Sequence, residues 1–142
     1  MSYEAIRANV ATRVETAKTA WLDYALKVQF DNRDMVDLQS QVLPFVMMDL
    51  DFRAAEQADL NRNPRVQIYG TINIVACCKV GDGTSKVLKL VDHFIPYFEL
   101  TGAITPIQTK AAAITPSRTF KGWYAQPLVI PFWSTRTSTL AG

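Results

Sequence analysis

The sequence predicts an α+β domain in which an antiparallel or mixed sheet of four to six strands carries two main helices on one face. Three observations lead there. Residues 3–22 and 85–98 repeat apolar side chains every three or four positions, and several other segments alternate apolar with polar residues. The chain has 142 residues, 49% hydrophobic and 20% charged, enough for one globular core and too few for two ordinary ones. Residues 1–133 therefore read as a single domain, and the small, polar residues 134–142 as a tail that is loose unless something binds it.

In the first segment Ile6, Val10, Val14, Ala17 and Trp21 form one stripe, with Arg7, Arg13, Glu15 and Lys18 on the other side and Ser2 placed to cap the helix. Leu26, Val28 and Phe30 alternate with Lys27 and Gln29, the period of a half-buried strand. Residues 31–41 are polar without a period, so they read as a long loop of the functional or mobile kind. Val46, Met48, Leu50 and Phe52 share one face, while Met47, Asp49 and Asp51 share the other. Val66, Ile68, Ile72, Ile74, Cys78 and Val80 repeat the alternation against Gln67, Tyr69, Thr71, Asn73 and Lys79. These two strands should pair as an antiparallel hairpin. Their connection, residues 53–65, is too long for a tight turn, contains Asn63-Pro64 and is expected to project beyond the sheet.

Gly81-Asp82-Gly83 is turn chemistry, and Thr84 or Ser85 is expected to cap a helix with a stripe of Val87, Leu88, Val91, Phe94, Ile95 and Phe98. Pro96 should kink this helix or end it nearby. Residues 104–108 and 111–115 read as short irregular strands around a turn. Their shared Ile-Thr-Pro is only a doublet, too little for a repeat protein. Residues 123–133 form a last strand, apolar on both faces. Its Pro127 and Pro131 have the same parity, so one side of the strand lacks donors and must lie at a sheet edge or against a neighbour that does not need them.

Composition excludes several classes. Gly (6) and Pro (7) are near average, and no apolar run approaches the ~20 residues of a membrane span, so fibrous, disordered and transmembrane readings fail. Glu4 and Arg7 stand where a secretory signal needs an apolar core, which points to a cytoplasmic product. Cys77 and Cys78 are adjacent and make neither a disulfide framework nor a metal pair, so no metal and no cofactor is expected. The net charge of +2 hides a division. All 13 acids lie at or before Glu99, where they face eleven bases, whereas Lys110, Arg118, Lys121 and Arg136 follow with no acid. Asp31, Asp34, Asp37, Asp49, Asp51, Glu56 and Asp59 crowd one stretch against Arg33 and Arg53. Such a chain offers an acidic and a basic surface, which are either ordinary solvated faces or docking surfaces between copies. On the docking reading the candidate contacts are Asp31, Arg33, Asp34, Asp37, Asp49, Asp51, Arg53, Glu56, Asp59, Arg62, Arg65, Lys110, Arg118 and Lys121.

A catalytic constellation is hard to assemble. The single His, His93, falls in line with Lys86, Lys89 and Tyr97 and reads as a surface residue. Asp49 and Asp51 share a strand face without further ligands nearby and read as solvated. Residues 81–86 have the composition of a phosphate loop without its spacing. Cys78 follows the buried parity, leaving Cys77 an incidental thiol. Phe120, Trp123, Tyr124, Phe132 and Trp133 accompany a modest basic excess, and core or interface burial accounts for them better than nucleic-acid recognition.

Several stretches together resemble the small tail terminator (tail completion) proteins of long-tailed bacteriophages. They are Tyr3-Glu4-Ala5-Ile6-Arg7, Leu43-Pro44-Phe45-Val46, Tyr69-Gly70-Thr71-Ile72-Asn73-Ile74 leading to Gly81-Asp82-Gly83, and Gly122-Trp123-Tyr124 before Leu128-Val129-Ile130-Pro131-Phe132. The resemblance implies a non-enzymatic virion subunit, assembled in the host cytoplasm. It would form a six-membered ring on the head-proximal end of the tail tube, stop tube polymerisation and face the head-tail connector protein. Its partners would be copies of itself, the tail tube protein and the connector, with no membrane, and with DNA passing through the ring rather than being recognised. The alternatives are another head-tail connector or tail-completion protein or, from a different class, a small α+β enzyme or ligand-binding domain with a pocket between sheet and helices. An inward parity that is almost wholly apolar favours assembly.

Overall fold

A computed structural model describes residues 2–30, 40–57 and 64–137. Ser2 caps the first helix as its type dictates: its Oγ accepts a hydrogen bond from the Ala5 N–H at 3.1 Å, satisfying one of the donors a helix start leaves free. Helix α1 (Tyr3–Ala20) buries Ile6, Val10, Val14 and Ala17, the expected stripe. It stops short of residue 22, because Trp21 turns extended and its N–H reaches back to the Lys18 carbonyl. Leu22 is left 89% exposed.

Among the described residues the sheet is mixed and has seven strands, order β1-β2-β3-β7-β4, with β5 and β6 also pairing with β7. β1 (Val28–Phe30) runs parallel to the start of β2 (Phe45–Gln57), and β2 forms an antiparallel hairpin with β3 (Arg65–Lys79). The hairpin is the expected one, but longer. Residues 53–57 and Arg65, assigned to the connection from sequence, lie in its ladder because backbone pairing continues where the hydrophobic alternation stops. Arg53 is the extra residue of a bulge between Phe52, opposite Gly70, and Ala54, opposite Tyr69.

Gly81 and Gly83 take φ of 97° and 93°, which suits glycine, and lead into α2 (Thr84–Phe98). Gly83 itself is the N-cap and no side chain caps the helix, so Thr84 and Ser85 do not have the capping role their types suggested. Pro96 sits in the last turn and the helix ends two residues beyond it. The buried stripe is Val87, Leu90, Val91, Phe94 and Phe98. Leu90 replaces Leu88, which faces outward, because three and four residues on from Val87 fall at 90 and 91, whereas Leu88 follows Val87 directly and lies about 100° round the helix.

β7 (Trp123–Thr137) pairs with β3 over its whole length, so residues 134–137 belong to the sheet rather than to a tail. It is not an edge strand. Its other side meets three fragments, β4 (Gln108–Thr109), β5 (Ala113–Ile114) and β6 (Arg118–Phe120). The Pro131 and Pro127 carbonyls accept from Lys110 N and Thr115 N on that side. In an antiparallel strand the N–H and C=O of a residue point the same way, so both missing donors face the fragments. The prolines therefore give β7 a complete ladder with β3 and a broken one opposite, the second outcome their parity allowed.

Both helices pack on one sheet face, joining Val46, Met48, Ile72, Ile74, Ala76, Leu128 and Ile130 in the main core. A smaller cluster of Phe45, Cys77, Trp123 and Ala125 occupies the opposite, helix-free face. At the far end of the sheet the Phe132 ring lies over Gly70, meets Phe52 edge-on at 6.0 Å, and Phe52 in turn meets Tyr3 at 4.6 Å. A Cβ on Gly70 would stand 2.4 Å from the Asp51 carbonyl oxygen and 2.5 Å from Phe132 Cζ. The ring can swing away; the carbonyl belongs to the β2 backbone. Gly70→Ala is expected to cost about 1–3 kcal/mol of stability, read from the shift of the urea midpoint.

Candidate assembly interface

Beyond Leu50 the helical layer thins, Tyr3 at the start of α1 meeting the ring of Phe52. Every residue from 51 to 57 is exposed, on both faces, although Ile68, Gly70 and Thr71 of the neighbouring strand are buried. Among the described residues only β1 covers the outer edge of β2, and it reaches no further than Met48. Asp49, Asp51, Arg53 and Glu56 lie on this open stretch. Asp49 accepts a 2.6 Å hydrogen bond from Asn73 Nδ2, and Asp51 pairs with Arg53 at 3.5 Å. Arg65 is exposed at the start of β3.

The basic candidates lie at the other edge of the same sheet. Lys110 follows β4, Arg118 opens β6, and Lys121 sits in the turn before β7 with φ 45°. All three are exposed, and none has an acidic partner among the described residues. The structure thus brings Asp49, Asp51, Arg53 and Glu56 together at one edge and Lys110, Arg118 and Lys121 at the opposite one. Asp31, Arg33, Asp34, Asp37, Asp59 and Arg62 lie outside the described residues.

Two expectations need correction and a third is narrowed. The connection expected over 53–65 is, over residues 53–57, the edge of a strand. Of core and interface burial, Trp123 takes the first: it is 2% exposed, its ring edge-on to Phe45 at 4.9 Å. His93 is half-buried rather than a surface residue: its Nε2 lies 2.7 Å from the Ala17 carbonyl and its ring is edge-on to Trp21 at 5.1 Å, so it ties α2 to the end of α1. Sequence reasoning also missed the exposed apolar Val42, Leu43 and Ile114. A short apolar piece at a sheet edge looks the same in sequence as one in the core.

Several other polar groups are occupied by the fold. A groove of about 260 Å³ between α1 and residues 103–105 is lined by Asn9, Arg13 and Thr16. There Arg13 Nε donates to the Tyr97 carbonyl at 2.8 Å, and Asn9 donates to the Thr105 carbonyl. Lys86, in the first turn of α2, pairs with Asp82 of the glycine-rich turn at 3.5 Å. Among the described residues no three His, Cys, Asp or Glu side chains gather as metal ligands, and no helix is long and apolar enough to cross a membrane.

Both thiols are buried, Cys77 as well as Cys78. Burial, with a smaller contribution from Cys78, pushes Cys77 from an ordinary thiol value of 9.0 up to about 12, and burial also raises Cys78. Because the folded thiol holds its proton more tightly than the unfolded one, this contribution to stability is complete below roughly pH 8.5 and is lost as pH rises toward the folded value. Native protein should therefore react with a maleimide many-fold more slowly than urea-unfolded protein at neutral pH. Equal rates would place a thiol at the surface.

No protein-family model matches this sequence, and no curated protein is similar to it. Among solved structures, one chain bearing no functional description aligns with 100% of this chain and 99% of its own length at 16% identity and a TM-score of 0.67, which shows a shared fold. A second, the sheath/tube terminator of an extracellular contractile injection system, PVC, in its extended state, aligns with 95% of this chain and 60% of its own at 11% identity and a TM-score of 0.40.

Proposed function

We propose that this chain is a structural, non-enzymatic virion subunit that closes the head-proximal end of a phage tail tube as a ring, ending tube growth and presenting a surface to the head-tail connector. The observation that carries the reading is the bare stretch of β2. Seven consecutive residues of strand, 51–57, are exposed, with Phe52 meeting the helical layer at Tyr3, an arrangement that supplies contact surface rather than core. The resemblance in sequence to tail terminators supplies the identity of the assembly. Rings are built from heterologous contacts, one patch on a different patch of the next copy, and two edges of different character on one sheet provide such patches.

Antibody-gold labelling of purified particles tests the reading. The label is expected at the head-proximal end of the tail, with overlong tubes when the protein is withheld. Tails of normal length without it, capped by another protein, would overturn the proposal.

A further inference from the structure

We infer that the ring contact is made between the two charged edges of the sheet, the acidic β2 edge of one copy docking on the basic β4–β6 edge of the next. The inference rests on the ring reading above and names its partner, a second copy of this chain. Strand register places the charges. Asp49 and Asp51 stand opposite Asn73 and Thr71; past the bulge, Glu56 stands opposite Gln67, which has the same parity on β3. All three acids therefore point to the helix-free face. On the far side Arg118 stands opposite Ala125, a member of the helix-free cluster, and its charge is felt at Cys77 on that face. Lys110 binds back to Pro131, which is paired with Thr71, so it shares the parity. Asp49, Asp51 and Glu56 thus share one face of the sheet with Lys110 and Arg118 at the opposite edge.

They cannot satisfy each other within one chain. From β2 across β3 and β7 to the fragments is three strand spacings, about 14 Å, beyond the ~8 Å screening length at physiological salt. Among the described residues Asp51 is the acid of this edge held in an ion pair, with Arg53, so three acids stand against Arg53 and the nearby Arg65, while at the other edge three bases stand against Glu99, whose carboxylate accepts from the Ala112 N–H. Because both sets share a face, a second copy can bring its basic edge to the first copy's acidic edge without turning the sheet over. The Arg53 bulge interrupts the backbone row on β2, so the contact is carried by side chains and not by a continued ladder.

Two charge-reversed chains test this. One carries Asp49→Lys, Asp51→Lys and Glu56→Lys; the other carries Lys110→Glu, Arg118→Glu and Lys121→Glu. Circular dichroism first establishes that each is folded, and sedimentation at low and physiological salt then follows association. The unaltered chain should associate, less so as salt rises. Each reversed chain alone should need a ~10-fold or greater increase in concentration, since weak exposed pairs become repulsions. Their equimolar mixture should recover association, because every basic edge again meets an acidic one. A fault in folding could not be cured by mixing. Association of either reversed chain at the unaltered concentration, a mixture that stays apart, or an unaltered chain monomeric under all conditions overturns the contact. Gold labelling of particles reads the tail-end role independently, so a wrong contact and a wrong function give different results.

Discussion

Phe94→Ala is expected to remove about 3–5 kcal/mol of stability, a large share of the roughly 5–15 kcal/mol that holds a domain of this kind together. Phe94 has no exposed surface and sits where α2 meets the sheet, stacked on Phe98 at 6.4 Å and edge-on to His93 at 5.6 Å. The cavity would open beside the His93 contact to Ala17, one of the ties between the two helices, so collapse around it would loosen both. Leu88→Ala on the same helix is the control: that side chain faces outward and its truncation should cost less than a quarter as much. Urea titrations of the three proteins decide it, and equal midpoints for Phe94→Ala and the parent would mean that α2 is seated differently.

The helices were legible because each carries its burial in its own periodicity: Ile6, Val10, Val14 and Ala17 repeat along a single cylinder and need no knowledge of the sheet. The β2–β3 hairpin was legible for the same reason as far as Phe52. Beyond it the alternation vanishes and pairing is sustained by backbone bonds alone, which leave no trace in side-chain type. The prolines of β7 foretold a broken ladder on one side but could not say that three fragments would fill it, since the short segments within 108–120 carry no alternation that fixes their pairing with β7. Of the interface, sequence revealed the two charge sets. Their placement at opposite edges of one face required the strand order β2-β3-β7, a tertiary fact. His93 was misread for a related reason, as the carbonyl it meets belongs to another helix 76 residues away.

Trp123→Ala is the other change expected to cost about 3–5 kcal/mol, and its consequence differs from that of Phe94→Ala. Trp123 belongs to the small cluster on the helix-free face, where Phe45, Cys77 and Ala125 are its buried partners and Phe120 packs beside them. That cluster joins the first residue of β2 to the first residue of β7 through Cys77 of β3, and so ties β2 to the strand that carries the basic fragments. Phe120, opposite Trp123 in β6, is held between Arg118 and Lys121 in the chain. Losing the indole removes the surface on which β6 is seated, so the basic edge should be disturbed before the helical core is. In hydrogen exchange, amides of 118–125 should lose protection by a larger factor than those of α1, and maleimide should reach Cys77 faster than in the parent. Association of the folded variant should weaken with them. Uniform loss of protection across both helices and β6 would instead mean that the two clusters form one cooperative core, and the basic edge has no separate support.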